Sequence, residues 1–219
     1  MCIEYATLAL TDMKEPRLEK RRDVIRYYNQ LSKSYDELYS TEQLRKYEVI
    51  LDFLIPSGTI LDLACGTGNF LLESVKTAEL AVGLDISVNM VKRGQEKLRK
   101  YPNAELVVGD AHLMPFREVF DEIYIITAIH IFDDLRSVTF EVNRVLKGFP
   151  LVITLLRKAS SLFNKVNEYF KSNGFILSAL IDRREIADLI LLYIREGIRF
   201  ESRIEARFKG SYAVRKGRA

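Results

Sequence analysis

The sequence predicts an α/β fold: a doubly wound, mostly parallel sheet of seven strands with an antiparallel hairpin at its C-terminal end. From Thr59 onward, short β-rich apolar runs alternate with stretches of helical periodicity, as in a sheet covered by helices on both faces. The segment Gly197–Ala219 alternates apolar and charged residues on either side of Lys209-Gly210, which indicates a hairpin at a sheet edge. Apolar residues make up 48% of the chain and proline occurs five times, which is typical of a globular protein.

The length of the chain predicts one domain. A chain of 219 residues suffices for one well-buried α/β domain, and no linker divides it into two. We expect the polar segment 1–22 to be flexible and residues 23–219 to form the domain. Its predicted parts are a helical cap (23–55), a central core (59–157), a helical insert with a last helix (158–196) and the terminal hairpin (197–219).

Two helices are predicted ahead of the first strand. The stretch "RDVIRYYNQLSKSYDELY" forms the first helix and "TEQLRKYEVILDFL" the second. Thr41 is the predicted N-cap of the second helix, because a threonine side chain can accept a hydrogen bond from the first free backbone N–H groups. Pro56 to Gly58 end that helix.

The central core contains five predicted strands with helices between them. The strands are Thr59–Leu63, Leu80–Leu84, Glu105–Val108, Glu122–Thr127 and Phe149–Leu155. The helices are Asn69–Thr77, Val88–Lys100 and Asp134–Leu146. The last of them has valines at helical spacing and a Lys-Gly stop.

The pattern changes after Arg157. The stretch Ala159–Ser172 has its apolar residues on one helical face and closes with "NG", which predicts an amphipathic helix. The apolar stretch "IADLILLYI" predicts a second helix over Arg183–Arg195. The terminal hairpin follows it.

The cysteines, the apolar segments and the charge of the chain indicate its expected location and the kinds of metal and nucleic-acid partner that it could bind. Cys2 and Cys65 cannot form a disulfide framework, and neither has a zinc-ligand spacing, so no metal site is predicted. No apolar span of membrane length and no secretory signal is recognisable, so we expect a cytoplasmic protein. The net charge is +3, but the terminal hairpin carries seven basic and two acidic residues. Attraction to nucleic acid would therefore be local to the hairpin.

A glycine turn follows the first predicted strand in "ILDLACGTGNF". Gly66 and Gly68 have no Cβ, so a ligand can approach the backbone closely where the strand hands over to a helix. The backbone N–H groups and the positive end of the helix then face the ligand, and Asp62 can accept hydrogen bonds from an amino group. This combination suits a ligand with both an amine and a carboxylate, although such a motif can also be only a tight turn.

Three predicted strands end in or beside an acidic residue: Asp62, Asp85 and Asp110. Asp85 lies 19 residues after Gly66, the separation at which doubly wound nucleotide sites place a carboxylate on a ribose. The further glycine of the dinucleotide pattern is missing, because Asn69-Phe70 follow the second glycine. This weighs against a nicotinamide-dependent oxidoreductase.

These segments resemble those of class I (Rossmann-like) S-adenosylmethionine-dependent methyltransferases. The resemblance runs from about Tyr27 to the terminal hairpin and depends on four segments in order: "ILDLACGTGNF", "GLDISVNMV", "GDAHLMPF" and "FDEIYIITAIHIFDD". It implies S-adenosyl-L-methionine as the cofactor, bound by the central core. The opening helix and the fourth-strand segment are loosely similar to ubiquinone and menaquinone biosynthesis C-methyltransferases, and the chain also resembles archaeal methyltransferases.

The resemblance implies a set of cofactor-binding residues. Asp62, Gly66 and Gly68 would surround the methionine part, Asp85 would hold the ribose hydroxyls, and Asp110 would bind the adenine amino group. Ile86 and Met90 would flank the adenine, and Ala111 would supply a backbone donor. The remaining cofactor-side residues are Ala64 and Thr127. Helix capping by the acids and core packing by Ile86 and Met90 are the structural alternatives.

The acceptor is expected beside "TAIHIFDD", after the fourth strand. Enzymes that methylate exocyclic amines commonly have an Asn/Asp-Pro-Pro-aromatic run there, which this chain replaces by Thr127-Ala128-Ile129-His130. His130 is the candidate general base, because an imidazole has a near-neutral pKa, and a structural role is the alternative. Tyr35 could close over the cofactor from the N-terminal helix, or simply pack against the domain.

The leading hypothesis is an active methyltransferase whose acceptor is a small molecule. An RNA or translation component is the alternative acceptor, suggested by the basic terminal hairpin, although lysines and arginines also block edge pairing. Some translation-related methyltransferases need a small zinc-binding activator protein that pairs with an exposed sheet edge, and the predicted third strand would be such an edge. A catalytically silent scaffold subunit is the second alternative, disfavoured because the glycines and all three acids are present.

Overall fold

The computed structural model describes residues 17–197, with side chains from Lys20 onward, and shows a seven-stranded sheet between two layers of helices. The strands are β1 Thr59–Leu63, β2 Leu80–Asp85, β3 Ala104–Val108, β4 Glu122–Ile125, β5 Leu151–Leu156, β6 Phe175–Asp182 and β7 Asp188–Arg195. The helices are α1 Arg17–Leu31, α2 Tyr35–Phe53, α3 Asn69–Ser74, α4 Val88–Leu98, α5 Leu135–Val145 and α6 Phe163–Ser172. Two 3₁₀ turns, Ile129–Ile131 and Arg157–Leu162, complete the described elements.

The strand order is β3-β2-β1-β4-β5-β7-β6. The first five strands are parallel, and β7 inserts antiparallel between β5 and β6. After β3 the chain returns across the sheet and continues outward from β1 on the other side. This reversal brings the carboxyl ends of β1 and β4 side by side, the position at which open α/β sheets bind their ligands.

Alternate residues of the central strands belong to two separate apolar layers, one on each face of the sheet. Leu61 and Ile123 pack with α5 and α6, whereas Ile60 and Tyr124 pack with α2, α3 and α4. Both faces are covered, which explains why these strands are continuous apolar runs in the sequence. The sheet is therefore a rigid support for its carboxyl edge.

The predicted fold class is confirmed, and so are the strands and helices predicted between Thr59 and Leu155. All five core strands and the three helices between them occur where the sequence placed them, and their ends differ by at most three residues. The predicted third strand is indeed an edge strand, because β3 pairs only with β2 among the described strands.

The predicted helix over Arg183–Arg195 is wrong. Asp188–Arg195 forms β7, which pairs with β5 on one side and β6 on the other, and Phe175–Asp182 forms the unpredicted β6. A short apolar run has the same composition in a buried helix and in a central strand, so periodicity cannot separate them. The C-terminal antiparallel hairpin described by the structure is thus β6–β7. The hairpin predicted from Gly197 lies, beyond that glycine, outside the described residues.

The N-terminal helices differ from prediction in their boundaries. Helix α1 begins at Arg17, inside the segment 1–22 that we expected to be flexible. The break between α1 and α2 falls at Ser32–Ser34, where the Ser34 N–H donates to the Leu31 carbonyl. Thr41 therefore lies inside α2 and is not its N-cap.

In the predicted helix Ala159–Ser172, only the part from Phe163 is α-helical, and a 3₁₀ turn precedes it. None of the helices within residues 17–197 is long and apolar enough to span a membrane.

Replacement of Val142 by alanine should destabilise the domain. The side chain is fully buried between α5 and the sheet, so removing its methyl groups should lower the free energy of unfolding by roughly 2 kcal/mol. Phe140 on the same helix is 60% exposed, and Phe140→Ala is the control, expected to change stability by less than about 0.5 kcal/mol. Urea denaturation monitored by circular dichroism measures both, and equal midpoints would contradict the described packing of α5.

Candidate functional site

A cleft lies above the carboxyl ends of β1 to β4, with α1 and α2 on its open side. The strand ends contribute the backbone turns and acidic residues, and the two helices contribute aromatic and basic side chains. Nine of the twelve predicted site residues line it: Tyr35, Ala64, Gly66, Asp85, Ile86, Met90, Asp110, Ala111 and Thr127. Asp62, Gly68 and His130 do not.

The turn after β1 is held in a left-handed conformation. The φ angles are +63° at Ala64, +55° at Gly66 and +72° at Gly68. The N–H groups of Ala64 and Cys65 both donate to the Leu84 carbonyl, at 2.7 and 3.1 Å, which fixes the turn against the end of β2. Left-handed backbone is unfavourable for alanine, so the hydrogen bonds at Ala64 hold a conformation that the residue itself resists.

The two glycines of this turn have different roles. A Cβ on Gly66 would stand 3.8 Å from the Tyr35 ring, on the side of the cleft. A Cβ on Gly68 would stand 2.9 Å from a methyl of Leu98 on α4, closer than real Cβ contacts. Gly68 therefore permits close packing of the turn against α4. Gly66 leaves the bottom of the cleft free of a side chain.

Asp85 at the end of β2 joins the glycine turn to α4. Its carboxylate accepts hydrogen bonds from the Gly66 N–H and the Ser87 N–H, both at 2.8 Å. Burial raises the pKa of Asp85, and the two backbone donors oppose the increase. The carboxylate is fixed in orientation and can accept further hydrogen bonds from hydroxyl groups in the cleft.

Asp62 lies within the sheet below the cleft. Its side chain is 3% exposed, and no described residue donates a hydrogen bond to it. Burial and the neighbouring Asp85 charge raise the pKa of Asp62 to about 8. The free protein therefore keeps Asp62 protonated at neutral pH, and a nearby cation would favour its ionised form.

Asp110 belongs to a four-residue charge cluster at the mouth of the cleft. One carboxylate oxygen accepts from Arg21 of α1 at 3.0 Å; the other accepts from the His112 N–H at 2.9 Å and lies 2.6 Å from the His112 ring Nδ1. Asp133, after β4, completes the cluster with its Oδ1 3.2 Å from Arg21 Nε and 2.8 Å from His112 Nε2. Burial raises the pKa of Asp110, but His112 and Arg21 lower it more, so the net shift is downward.

The segment after β2 forms the side wall between Asp85 and α4. Ile86 and Met90 line the cleft, and Met90 is fully buried. The Ser87 side chain caps α4 by accepting from the Met90 N–H, and it donates to Asn29 of α1 at 2.8 Å. The capping residue thus also attaches α1 to the wall.

Helix α2 is attached to the glycine turn through Asp36. One Asp36 oxygen accepts from Thr67 at 2.5 Å and Asn69 at 2.9 Å, and the other lies 2.8 Å from Lys97 of α4. These bonds hold the neighbouring Tyr35 over Gly66. Burial raises the pKa of the Tyr35 phenol, so it remains protonated and able to donate a hydrogen bond.

Thr127, the second residue after β4, has a φ of +56° and lines the cleft in the segment where the sequence predicted the acceptor. His130, the predicted general base, is 7% exposed, does not line the cleft, and has a buried Nδ1 without a hydrogen-bond partner among the described residues. Burial lowers the pKa of His130 to about 4. The geometry therefore gives no support to the catalytic role that the sequence suggested for His130.

Sequence reasoning missed the contribution of α1. Lys20, Arg21, Val24 and Tyr28 all line the cleft, and on the acceptor side so do Ile131, Phe132 and Asp133. The signal was present, because Arg21, Val24 and Tyr28 follow one another at intervals of three and four and so share one helix face. No group of three histidine, cysteine, aspartate or glutamate side chains within residues 20–197 could hold a metal ion.

Comparison with known proteins agrees with this geometry. The family described as a methyltransferase domain matches residues 60–148. An uncharacterised protein of Methanocaldococcus jannaschii is 32% identical over 179 residues, 73% of this chain and 66% of its own length. The demethylmenaquinone methyltransferase of Staphylococcus aureus is 32% identical over 145 residues, 62% of this chain and 60% of its own length. The chain thus spans less than two thirds of the length of these two relatives.

Solved structures share the fold at low sequence identity. A methyltransferase from Aquifex aeolicus that depends on S-adenosylmethionine has a TM-score of 0.64 at 19% identity, covering 75% of this chain and 96% of that one. A chain from a complex between the Haloferax volcanii Trm112 methyltransferase activator and a methyltransferase has a TM-score of 0.65 at 15% identity, covering 77% and 97%. The matched family shows a methyltransferase domain over residues 60–148, and the order of strands and the solved structures show the Rossmann-like methyltransferase fold.

Proposed function

We propose that this protein is an active methyltransferase that transfers a methyl group from S-adenosylmethionine to a small, largely apolar acceptor. The main support for this proposal is that the left-handed turn at Ala64–Gly66, Asp85 and Asp110 all line one cleft at the carboxyl edge of the sheet. A scaffold protein would have no need for three buried or paired acids, Asp85, Asp110 and Asp133, around an open cleft, since burying them costs free energy.

The described residues fit the cofactor. Gly66 leaves the floor of the cleft open, and Asp85 is preset by two backbone donors to accept from ribose hydroxyls. Asp62, buried without a donor among the described residues, is suited to compensate the positive charge of the cofactor's amino acid part. Ile86 and Met90 would flank the adenine, with Asp110 and the Ala111 backbone at its edge.

The cofactor, when bound, supplies an electrophilic methyl group on a sulfonium. The contribution of the protein is alignment and exclusion of water: α1 and α2 cover the cleft, and the turn after β4 borders the acceptor. The lining residues include one histidine, His112, whose ring lies between two carboxylates. We therefore assign no general base among the histidines.

A small apolar acceptor is favoured by the walls of the acceptor end. Val24 and Tyr28 line the cleft from α1, and Ile131 and Phe132 line it from the segment after β4. An apolar, aromatic wall removes a flat organic molecule from water but offers no partner for a phosphate backbone. The similarity to demethylmenaquinone methyltransferase is consistent with this choice.

The exposed edge of β3 supports a second candidate, an RNA or translation-component methyltransferase that needs a small activator protein. Val108 is 46% exposed on this edge and Leu113 just beyond it is 78% exposed. An edge strand with exposed apolar residues is suited to pair with a strand of a partner. A structural neighbour occurs in a complex with such an activator.

Incubation of the purified protein with methyl-labelled S-adenosylmethionine tests the proposed function. Small-molecule, protein and RNA fractions from its own cells are offered separately, each with and without a co-purified Trm112-type activator. We expect label in the small-molecule fraction without the activator. Label only in RNA or protein, and only with the activator, would favour the second candidate. Cofactor binding without label in any fraction would favour a silent scaffold.

Replacement of Asp85 by asparagine should weaken S-adenosylhomocysteine binding without unfolding the protein. The variant keeps the shape of the side chain but loses charge-assisted hydrogen bonds, which corresponds to a loss of roughly 1.5–3 kcal/mol in binding free energy. Glu105→Gln removes an exposed acid from the edge strand β3 and is the matched control. Calorimetry measures both, and unchanged affinity in Asp85→Asn would remove Asp85 from the cofactor site.

Cofactor binding should release a proton from Asp62 near neutral pH. The free protein holds Asp62 protonated below about pH 8, and the cofactor's positive charge favours the carboxylate. Affinity for S-adenosylhomocysteine should therefore rise between pH 6 and pH 8, by at most about tenfold per pH unit for one proton. Calorimetry in buffers of different ionisation enthalpy measures the proton release. Asp62→Asn should abolish it, and an unchanged release in that variant would assign the proton to another group.

A further inference from the structure

A fully buried ion pair lies directly behind the acceptor end of the cleft. Lys46 of α2 and Asp188 at the start of β7 are both 0% exposed, and Lys46 Nζ stands 3.0 Å from Asp188 Oδ1. Burying two charges costs solvation free energy that their attraction only partly returns, and apolar replacements are often equally stable. Packing alone therefore gives no reason for the pair.

The ion pair is connected to Thr127, which lines the cleft. Lys46 Nζ donates to Thr127 Oγ1, and Thr127 Oγ1 donates to Asp188 Oδ2 at 3.1 Å. The Thr127 backbone N–H donates to Thr154 Oγ1 at 2.7 Å, and Thr154 Oγ1 donates to Asp188 Oδ2 at 2.8 Å. The network thus joins α2, β5 and β7 to the turn that follows β4.

Thr127 needs such support because its backbone is in the left-handed region. A φ of +56° is unfavourable for a β-branched residue, whose Cβ substituents crowd the adjacent peptide groups. Glycine or asparagine would adopt this conformation more easily. In Thr127, the side chain and the N–H are both held by buried partners, so the network selects a conformation that the residue alone would avoid.

We propose that Lys46, Asp188 and Thr154 are positioning residues that fix Thr127 at the boundary between cofactor and acceptor. Because both of its hydrogens are already donated, Thr127 can offer a ligand only its oxygen atoms, as acceptors. The ligand group that meets it must therefore be a hydrogen-bond donor. This proposal rests on the proposed function, since it concerns the same cleft.

The alternative is that the network only stabilises the fold. A single substitution cannot separate the two roles, because removing Lys46 leaves the Asp188 charge buried and unpaired, which destabilises any protein. Removing both charges together, as in Lys46→Met/Asp188→Leu, takes away the network without leaving a buried charge. Thr154→Val is a smaller change of nearly equal volume, and Thr139→Val replaces another fully buried threonine, on α5 and outside the cleft lining.

The experiment measures the melting temperature and the S-adenosylhomocysteine affinity of each variant. We expect Thr154→Val and the double variant to bind S-adenosylhomocysteine about tenfold more weakly than the wild type, which is the effect of one misplaced hydrogen-bonding group. Their melting temperatures should stay within a few degrees of the wild-type value. Thr139→Val should bind like the wild type. If Thr154→Val binds S-adenosylhomocysteine as tightly as the wild type, the proposal is overturned. This test holds even if the double variant fails to fold.

Hydrogen exchange in the free protein gives a readout that does not depend on the cofactor. The Thr127 amide should exchange slowly in the wild type and in Thr139→Val, and rapidly in Thr154→Val, because its acceptor is gone. A wild type that binds no S-adenosylhomocysteine refutes the proposed function. Unchanged Thr127 exchange in Thr154→Val refutes the positioning role, whatever the affinity.

Discussion

The site depends on the pair of hydrogen bonds by which the Asp85 carboxylate holds the Gly66 and Ser87 amides. They join the turn after β1 to the start of α4, across the boundary between two neighbouring strands. Both donors are backbone groups, so they fix the path of the chain as well as one side chain. The glycine turn, Asp85 and the cap of α4 thus form a single unit, whose geometry follows from the parallel pairing of β1 with β2.

Around this unit, the chain buries more carboxyl groups than packing requires. Asp62 has no donor among the described residues, Asp85 has two backbone donors, and Asp188 is balanced by a buried lysine. Buried carboxylates without full compensation are costly and are retained where a ligand supplies the missing partner. Asp62 is the one of these three acids that lacks a donor among the described residues, so a cation bound nearby would favour its ionised form.

The two N-terminal helices convert an open sheet edge into a cleft. Helix α1 is attached at both ends of the cleft, through Arg21 to Asp110 and Asp133 and through Asn29 to Ser87. Helix α2 is attached to the glycine turn by Asp36 and to β7 by Lys46. All of these attachments are polar, and those of α1 are partly exposed. Solvent competes with exposed polar bonds, so α1 is held less firmly than the sheet beneath it.

The sequence predicted the central core well because its signals are local. Strand runs at 59–63 and 80–84 are bounded by glycines and acids, and each intervening helix carries its own apolar face. Nine of the twelve site residues predicted from the sequence line the cleft. It failed at Asp188–Arg195, since an apolar run becomes a strand there only because β5 has an unpaired edge.

The sequence by itself determined the fold class and the meeting of a glycine turn with strand-end acids at one edge of the sheet, because parallel strands that end together bring these segments side by side. Only the tertiary structure decided the acceptor side. It removed His130 from the cleft, added Arg21 and Tyr28 from α1, and placed Lys46 against Asp188 across 142 residues of chain. Contacts between residues so far apart depend on how helices pack on a finished sheet, so the shared helix face of Arg21 and Tyr28 is visible in the sequence but the cleft that it meets is not.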